Sequence, residues 1–443
     1  MDTILPDIKI GLLGPFGGGN LGDAAIQQAM IQHIYKYYPN AQINGFSLNP
    51  GDTEKRHGIT SYSIGRMCMT GWLGIKKDNG LITRIQKAYY KTRQNQNRWI
   101  GGFVRFLLAV PIEIISIIDS YKILYGTDIL MISGGGQLDD YWGGALHHPY
   151  SLLLWTFLAK LHKAKVFFVS VGAGPIDSPF SQLLIKNALS LADYRSYRDE
   201  KSKKLIERIG FKREDPIVPD LAHSLSISHI LNSNGEKGEK VEKTKADSQY
   251  KHEVGVGPMS YFDPRIWPER DQAVYMNYLT KLACIISRLI KQGYSIRLFP
   301  GEADHDSHVI RDLIKILEKQ DGFILDGRII LEQVDTVDKL MEQFSSVEIV
   351  IASRFHGVLL PLLLNKPVLA LSYHEKINVL MEDIGQSAYC LPIDQFEVED
   401  VIDRFNSLEK NKQFSKIQIE ARIKEYQSAL DDQYDYLFTN DHI

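Results

Sequence analysis

At 443 residues the chain is too long for one ordinary core and long enough for two domains of about 200 residues each. With 44% hydrophobic and 24% charged residues it has the composition of a folded globular protein, which excludes wholesale disorder. A formal net charge of -3 excludes a general attraction to nucleic acid or to an anionic membrane, so any phosphate must be gripped by basic groups placed locally.

The three cysteines, Cys68, Cys284 and Cys390, are widely spaced and form no Cys-x-x-Cys pair. Neither a disulfide framework nor a zinc knuckle is indicated, and a reducing compartment fits. Met1 to Ile10 is polar and acidic and runs straight into a first core strand. The expectation is no signal peptide and a cytoplasmic protein, at most peripheral at the inner face of the plasma membrane.

In chain order, short runs rich in Ile, Val and Phe end in a glycine or another small residue and hand over to a helical pattern. That alternation predicts parallel strands separated by helices. Strands are predicted at Lys9 to Leu13, Ala41 to Phe46, Asp128 to Ser133, Lys165 to Val171 and Tyr194 to Tyr197. The second half repeats the style at Glu253 to Val256, Ser295 to Phe299, Val347 to Ala352 and Pro367 to Leu371. After the first strand, Asp23 is the expected cap of a helix whose Ile26, Met30, Ile34 and Tyr38 share one face at four-residue spacing. Both halves read as Rossmann-like, doubly wound α/β domains, and two domains imply a cleft.

The expected division is an N-terminal domain at 1–228 with an insertion at 70–125, a flexible linker or insertion at 229–251, and a C-terminal domain at 252–443. The linker follows from composition: Asn232 to Lys251 is nearly devoid of large apolar residues and dense in Lys, Glu, Gly and Ser. From Phe414 to Phe438, Ile417, Ile419, Ile423, Tyr426 and Leu430 predict a C-terminal helix that packs back on either domain.

One region departs from this pattern. Lys76 to Arg105 carries eight Lys and Arg residues against Asp78 alone and continues into the apolar Phe103 to Ile118. Arg105, Pro111, Glu113 and Asp119 interrupt that run, whereas a membrane span needs about 20 predominantly apolar residues. A core helix preceded by a solvated basic helix is the favoured account; peripheral contact with a membrane surface, beside Trp99 and Phe103, is the other.

The sharpest local feature is Ser353-Arg354-Phe355-His356-Gly357, between a predicted strand and the apolar helical run Val358 to Leu364. Such a junction sits at the carboxyl end of a parallel sheet, where ligands bind and where a helix N-terminus offers N–H groups to an anion. Arginine there suits phosphate or carboxylate, and histidine can give or take a proton near neutrality. The competing account pairs Arg354 with an acidic neighbour and makes His356 a buried core residue. After the next strand comes a second cation, Lys376, placed to share an anion with Arg354. Its competing account is an exposed lysine paired with Glu375 or Glu382.

Gly14 to Asp23 also joins a strand to a helix, but it does not match G-x-G-x-x-G, and Ala41 to Pro50 has no acidic residue to hold a ribose. Nicotinamide binding is not expected. Gly19 can let backbone approach a sugar or phosphate, while Asn20 and Asp23 bind hydroxyls or cap the helix. Gly135 and Gly136, followed by Asp139 and Trp142, mix hydroxyl-binding carboxylates with aromatic faces suited to sugars; a tight turn is the competing account. Asp304-His305-Asp306-x-His308 has metal-type residues but no further spaced ligand, so the expected metal content is none.

Together, Ser-Arg-x-His at Ser353 to His356, the stretch Pro367 to Lys376, Gly19-Asn20-Leu21-Gly22-Asp23, Gly134-Gly135-Gly136, Arg198 to Ser202 and Pro219-Asp220 resemble the polysaccharide pyruvyl transferase family over most of the chain. The resemblance implies a GT-B-like pair of domains, phosphoenolpyruvate as donor in the interdomain cleft, and no metal or organic cofactor. It implies a sugar or lipid-linked oligosaccharide acceptor and a place in exopolysaccharide or cell-envelope biosynthesis. By motif match, Arg198, Arg354 and Lys376 bind the donor and His356 is catalytic. The chemistry suits them: a donor carrying phosphate and carboxylate calls for fixed cations, and protonation of its enol carbon or departure of phosphate calls for a general acid. Two rival expectations remain, a GT-B glycosyltransferase using a nucleotide sugar and a noncatalytic carbohydrate-binding relative.

Overall fold

Parallel strands covered by helices on both faces must be apolar throughout, and the buried runs Ile129–Ile132 (ILMI), Ile349–Ala352 (IVIA) and Val368–Ser372 (VLALS) meet that condition. The computed structural model describes residues 8–64, 110, 113–141, 143–227, 252–320 and 327–439. The sequence-defined linker at 229–251 and most of the insertion at 70–125 lie outside these, as does Trp142.

The described chain forms two compact units. One comprises Met1–Gly18, Ile26–Leu221 and Asp432–Ile443; the other comprises Gly19–Ala25 and Ala222–Asp431. The division differs from a simple cut near residue 229 because Gly19–Ala25 and Asp432–Ile443 each group with the unit distant in sequence.

In the first unit the elements are β1 (Lys9–Leu13), α1 (Leu21–Tyr37, which starts in the second unit), β2 (Gln42–Ser47), α2 (Pro50–His57), β3 (Thr60–Ser63), β4 (Ile129–Ile132), β5 (Gly135–Leu138), α3 (His148–Leu161), β6 (Lys165–Ala173), α4 (Pro179–Leu191), β7 (Tyr194–Tyr197) and α5 (Glu200–Arg208). The parallel sheet runs β3-β2-β1-β4-β6-β7, and β5 pairs with the far end of β6. The order reverses between β1 and β4. Trp155 fills the core beside Phe46 at a ring distance of 4.5 Å, and its Nε1 donates to the Ile64 carbonyl at 2.7 Å.

The second unit follows with β8 (Glu253–Gly257), α6 (Gln272–Lys291), β9 (Ser295–Leu298), α7 (His305–Glu318), β10 (Ile329–Leu331), α8 (Val337–Ser346), β11 (Ile349–Ala352), α9 (Phe355–Leu363), β12 (Val368–Ser372), α10 (Glu375–Asp383), β13 (Cys390–Pro392) and α11 (Val398–Thr439, which ends in the first unit). All six strands are parallel in the order β10-β9-β8-β11-β12-β13. The switch between β8 and β11 opens a crevice at the carboxyl ends of those strands.

Within the second unit, α11 is tied down by Tyr426, whose hydroxyl donates to Asp383 at 2.6 Å, and by Gln418, which accepts from Gln386 at 2.9 Å. Its last turns belong to the first unit, where Gln433 bonds Ser170, Tyr194 and Ser196. Ile419, Ile423, Tyr426 and Leu430 are buried as their spacing suggests, whereas Ile417 is 67% exposed. Among the described residues no helix is long and apolar enough to cross a membrane.

Candidate functional site

Four loops of the second unit meet at the carboxyl end of its sheet. Ser353, just past β11, is buried, and its Oγ lies 3.2 Å from the Tyr278 hydroxyl, which also accepts from Met259 N at 3.2 Å. Burial pushes the Tyr278 phenol up to about 12, so it stays protonated and pins the loop after β8 to the loop after β11. Arg354 takes the N-cap position of α9 with extended backbone, and its side chain does not cap. Phe355, His356 and Gly357, the first residues of α9, line the site, and a helix N-terminus favours an anion.

The cavity measures about 50 Å³ and is lined by Asn20, Gly301, Arg354, His356, Tyr373 and Lys376, with Gly22, Leu340, Phe355 and Gly357. A single water needs roughly 10–15 Å³ of such space, so a phosphate- or carboxylate-sized group fits. Among the described residues, no carboxylate lines the cavity.

Arg354 is not poised as a bare cation. Its Nε and Nη2 donate to Asp306 at 2.6 and 2.7 Å, Nη2 also meets Glu302 at 2.8 Å, and Ser260 Oγ accepts at 3.2 Å. Burial works against its charge, but Asp306 and then Glu302 outweigh that and hold the guanidinium above its ordinary value. The competing sequence account, an Arg paired with acidic neighbours, describes this geometry, and it reduces the charge Arg354 can offer an anion.

Lys376 behaves otherwise. Its Nζ sits 5.4 Å from the Phe355 ring centre and 5.9 Å from that of Tyr373, and among the described residues it has no carboxylate partner, neither Glu375 nor Glu382. Such cation–π contacts are worth about 0.5–1 kcal/mol each at exposed sites, enough to hold the ammonium at the rim while leaving its charge uncompensated. The first turn of α10 is fixed by His374, whose Nδ1 accepts from Lys376 N at 3.2 Å.

His356 is half-buried and packs closely against Gly22: a Cβ added there would fall 2.0 Å from Nδ1. Gly301 has the same relation to Arg354, with a hypothetical Cβ 2.6 Å from Cδ. Both glycines are there because a side chain needs the space.

The remaining predicted residues separate. Arg198 closes β7 in the first unit, where it meets Asp199 and the buried Asp220, both at 3.3 Å, and packs over Gly172. Asn20, rather than Asp23, caps α1: its Oδ1 accepts from Gly22 N at 2.9 Å and from Asp23 N at 3.4 Å. Asp23 lies inside the first turn, because the helix starts at Leu21. Gly19 adopts φ +77°, open to glycine at little cost. Gly135 and Gly136 form part of β5 instead of a tight turn, and Asp139 follows them in the first unit, its Cβ packed on Gly174. Among the described residues no group of three or more His, Cys, Asp or Glu could hold a metal. Sequence reasoning missed the roles of Asp306, Glu302, Gly22 and Gly301; Asp306 stood out only for its metal-type neighbours.

A family profile described as polysaccharide pyruvyl transferase matches residues 20–375, which includes Arg198, Arg354 and His356 and stops one residue short of Lys376. Among solved structures, the UDP-GlcNAc 2-epimerase of Neisseria meningitidis bound to UDP-GlcNAc is similar at 11% identity and TM-score 0.55, covering 98% of this chain and 99% of that one. An α,α-trehalose-phosphate synthase (UDP-forming) from Burkholderia vietnamiensis matches at 10% identity and TM-score 0.53, over 98% and 97% of the two chains. The MnaA–UDP complex of S. aureus matches at 12% identity and TM-score 0.53, over 94% and 91%. At these identities the likeness is one of fold, two Rossmann-like α/β units of the GT-B class.

Proposed function

This chain belongs to the polysaccharide pyruvyl transferase family, and from that premise we propose that it transfers pyruvate from phosphoenolpyruvate to two hydroxyls of a sugar, as a ketal. The observation that carries the reading is the phosphate-sized cavity of the second unit, where an uncompensated ammonium, an imidazole and a helix N-terminus converge. The acceptor class is a sugar of a surface polysaccharide or its lipid-linked precursor.

In this reading, carbon 3 of the enol gains a proton while one sugar hydroxyl attacks carbon 2. The bond from carbon 2 to the phosphate oxygen then breaks, a second hydroxyl closes the ring, and the two hydroxyl protons leave to solvent and phosphate. Lys376 and the first N–H groups of α9 hold the donor's anionic end and stabilise departing phosphate. His356 supplies a proton, either to carbon 3 or to the leaving group. Arg354 supports the site through its bonds to Asp306 and Glu302.

A nucleotide-sugar donor is the rival. Among the described residues, the lining side chains are cationic, aromatic and amide rather than acidic, which favours an anionic donor group over a ribose at this cavity. Incubating the protein with candidate acceptors and either labelled phosphoenolpyruvate or labelled nucleotide sugars, with mass spectrometry of the product, decides between them. A mass gain of one pyruvate ketal with release of inorganic phosphate is expected; a glycosyl gain would replace this reading with the rival. Lys376→Ala is expected to raise the donor KM about tenfold or more with a smaller change in kcat, measured by phosphate release. An unaltered KM would remove Lys376 from donor binding.

A further inference from the structure

Asp306 carries the metal-type signature of its segment, yet protein groups engage it. It is fully buried in the first turn of α7. Its Oδ2 accepts from Gly301 N at 3.1 Å, Glu302 N at 2.9 Å and Arg354 Nε at 2.6 Å, and its Oδ1 accepts from Arg354 Nη2 at 2.7 Å. The turn it grips reaches further. Gly301 O accepts from Leu21 N at 3.1 Å, Ala303 N donates to Gly19 O at 2.9 Å, and Asn20 pairs with Glu302 in an antiparallel bridge. Those bonds seat the first turn of α1, whose Gly22 is the surface on which the His356 ring lies. One carboxylate thus anchors Arg354 directly and, through the 301–303 turn, the platform beneath His356.

We propose that Asp306 is a positioning residue of the transfer site, locking Arg354 and the support of His356 into one frame while taking most of Arg354's charge out of donor binding. The proposal rests on the donor-pocket reading above. Its physical basis is that charge-assisted bonds in a buried setting are directional, so four bonds on one carboxylate specify a single arrangement. An amide in its place carries N–H hydrogens where donors now point, and the frame loosens.

Asp306→Asn is expected to lower kcat about tenfold or more and leave the donor KM within about twofold, since Glu302 still pairs with Arg354 and Lys376 is untouched. Lys376→Ala gives the opposite split. Hydrogen exchange read by mass spectrometry should speed up in Asp306→Asn at peptides covering 19–25 and 300–304, and stay unchanged there in Lys376→Ala. Should Asp306→Asn fold poorly, Asp306→Asn with Arg354→Gln removes both buried charges and is expected to regain stability but not turnover. Unchanged exchange at both peptides, or a raised KM with intact kcat, overturns the proposal. A wild-type chain that neither binds nor consumes phosphoenolpyruvate defeats the donor reading instead, and the exchange result still decides whether Asp306 anchors the frame.

Discussion

His356→Ala is expected to cut kcat by about 10²–10⁴-fold, the range spanned by a general acid or base, while donor affinity stays close to that of the wild type. The side chain lines the cavity, but the fold does not hang on it: a core cluster of the second unit is built from α6, α7, the start of α11 and the strands they cover, without His356, which is only half-buried in the first turn of α9. Circular dichroism and the melting temperature should therefore change little. Steady-state phosphate release checks the kinetic part, and donor binding by calorimetry checks the affinity. Turnover that survives the substitution would remove His356 from the chemistry and leave Tyr373 as the other cavity-lining side chain with an O–H to offer.

The second large effect belongs to a residue with no side chain. Gly22→Ala places a methyl 2.0 Å from His356 Nδ1 and 2.7 Å from its Cβ, distances no real contact tolerates, so either the imidazole or the start of α1 must move. A displacement of about 1 Å in a catalytic group can cost about 10²-fold in rate, and forcing extra volume into a packed site costs about 1–3 kcal/mol. Gly22→Ala is thus expected to lose about 10²-fold in kcat and to melt several degrees lower. The informative variant is the double, Gly22→Ala with His356→Ala: removing the ring makes room for part of the methyl, so its kcat should equal that of His356→Ala alone, and its melting temperature should exceed that of Gly22→Ala. Additive losses would mean that Gly22 acts through something other than His356.

Asp306, Lys376 and His356 then form a separable set. In the proposed reading, Lys376→Ala is expected to move donor KM, His356→Ala to move kcat, and Asp306→Asn to move kcat at a distance by loosening the frame. These signatures differ because Lys376 presents an uncompensated charge to the cavity, whereas the charge of Arg354 is spent on Asp306 and Glu302. Three kinetic profiles and one exchange experiment are enough to tell them apart.

The sequence alone determined the parallel architecture, because strands buried on both faces must be continuous apolar runs and such runs are visible without any partner. It placed Lys9–Leu13 and Tyr194–Tyr197 at their observed bounds and the other seven predicted strands within two residues at either end. The strands it missed, β3 (TSYS), β5 (GGQL), β10 (IIL) and β13 (CLP), are short, and all but β5 sit at sheet edges, where the pattern is brief or polar and pairing makes the strand. Ser353 to Gly357 and Lys376 were legible because each follows its own strand directly, so position in the chain fixes position at the sheet's carboxyl end. What only the tertiary structure decided is what those side chains touch. Arg354 meets Asp306 across 48 residues, and His356 rests on a glycine from the start of the chain. Hydrogen-bond partners and close packing are set by where distant loops arrive in space, and no local spacing encodes that.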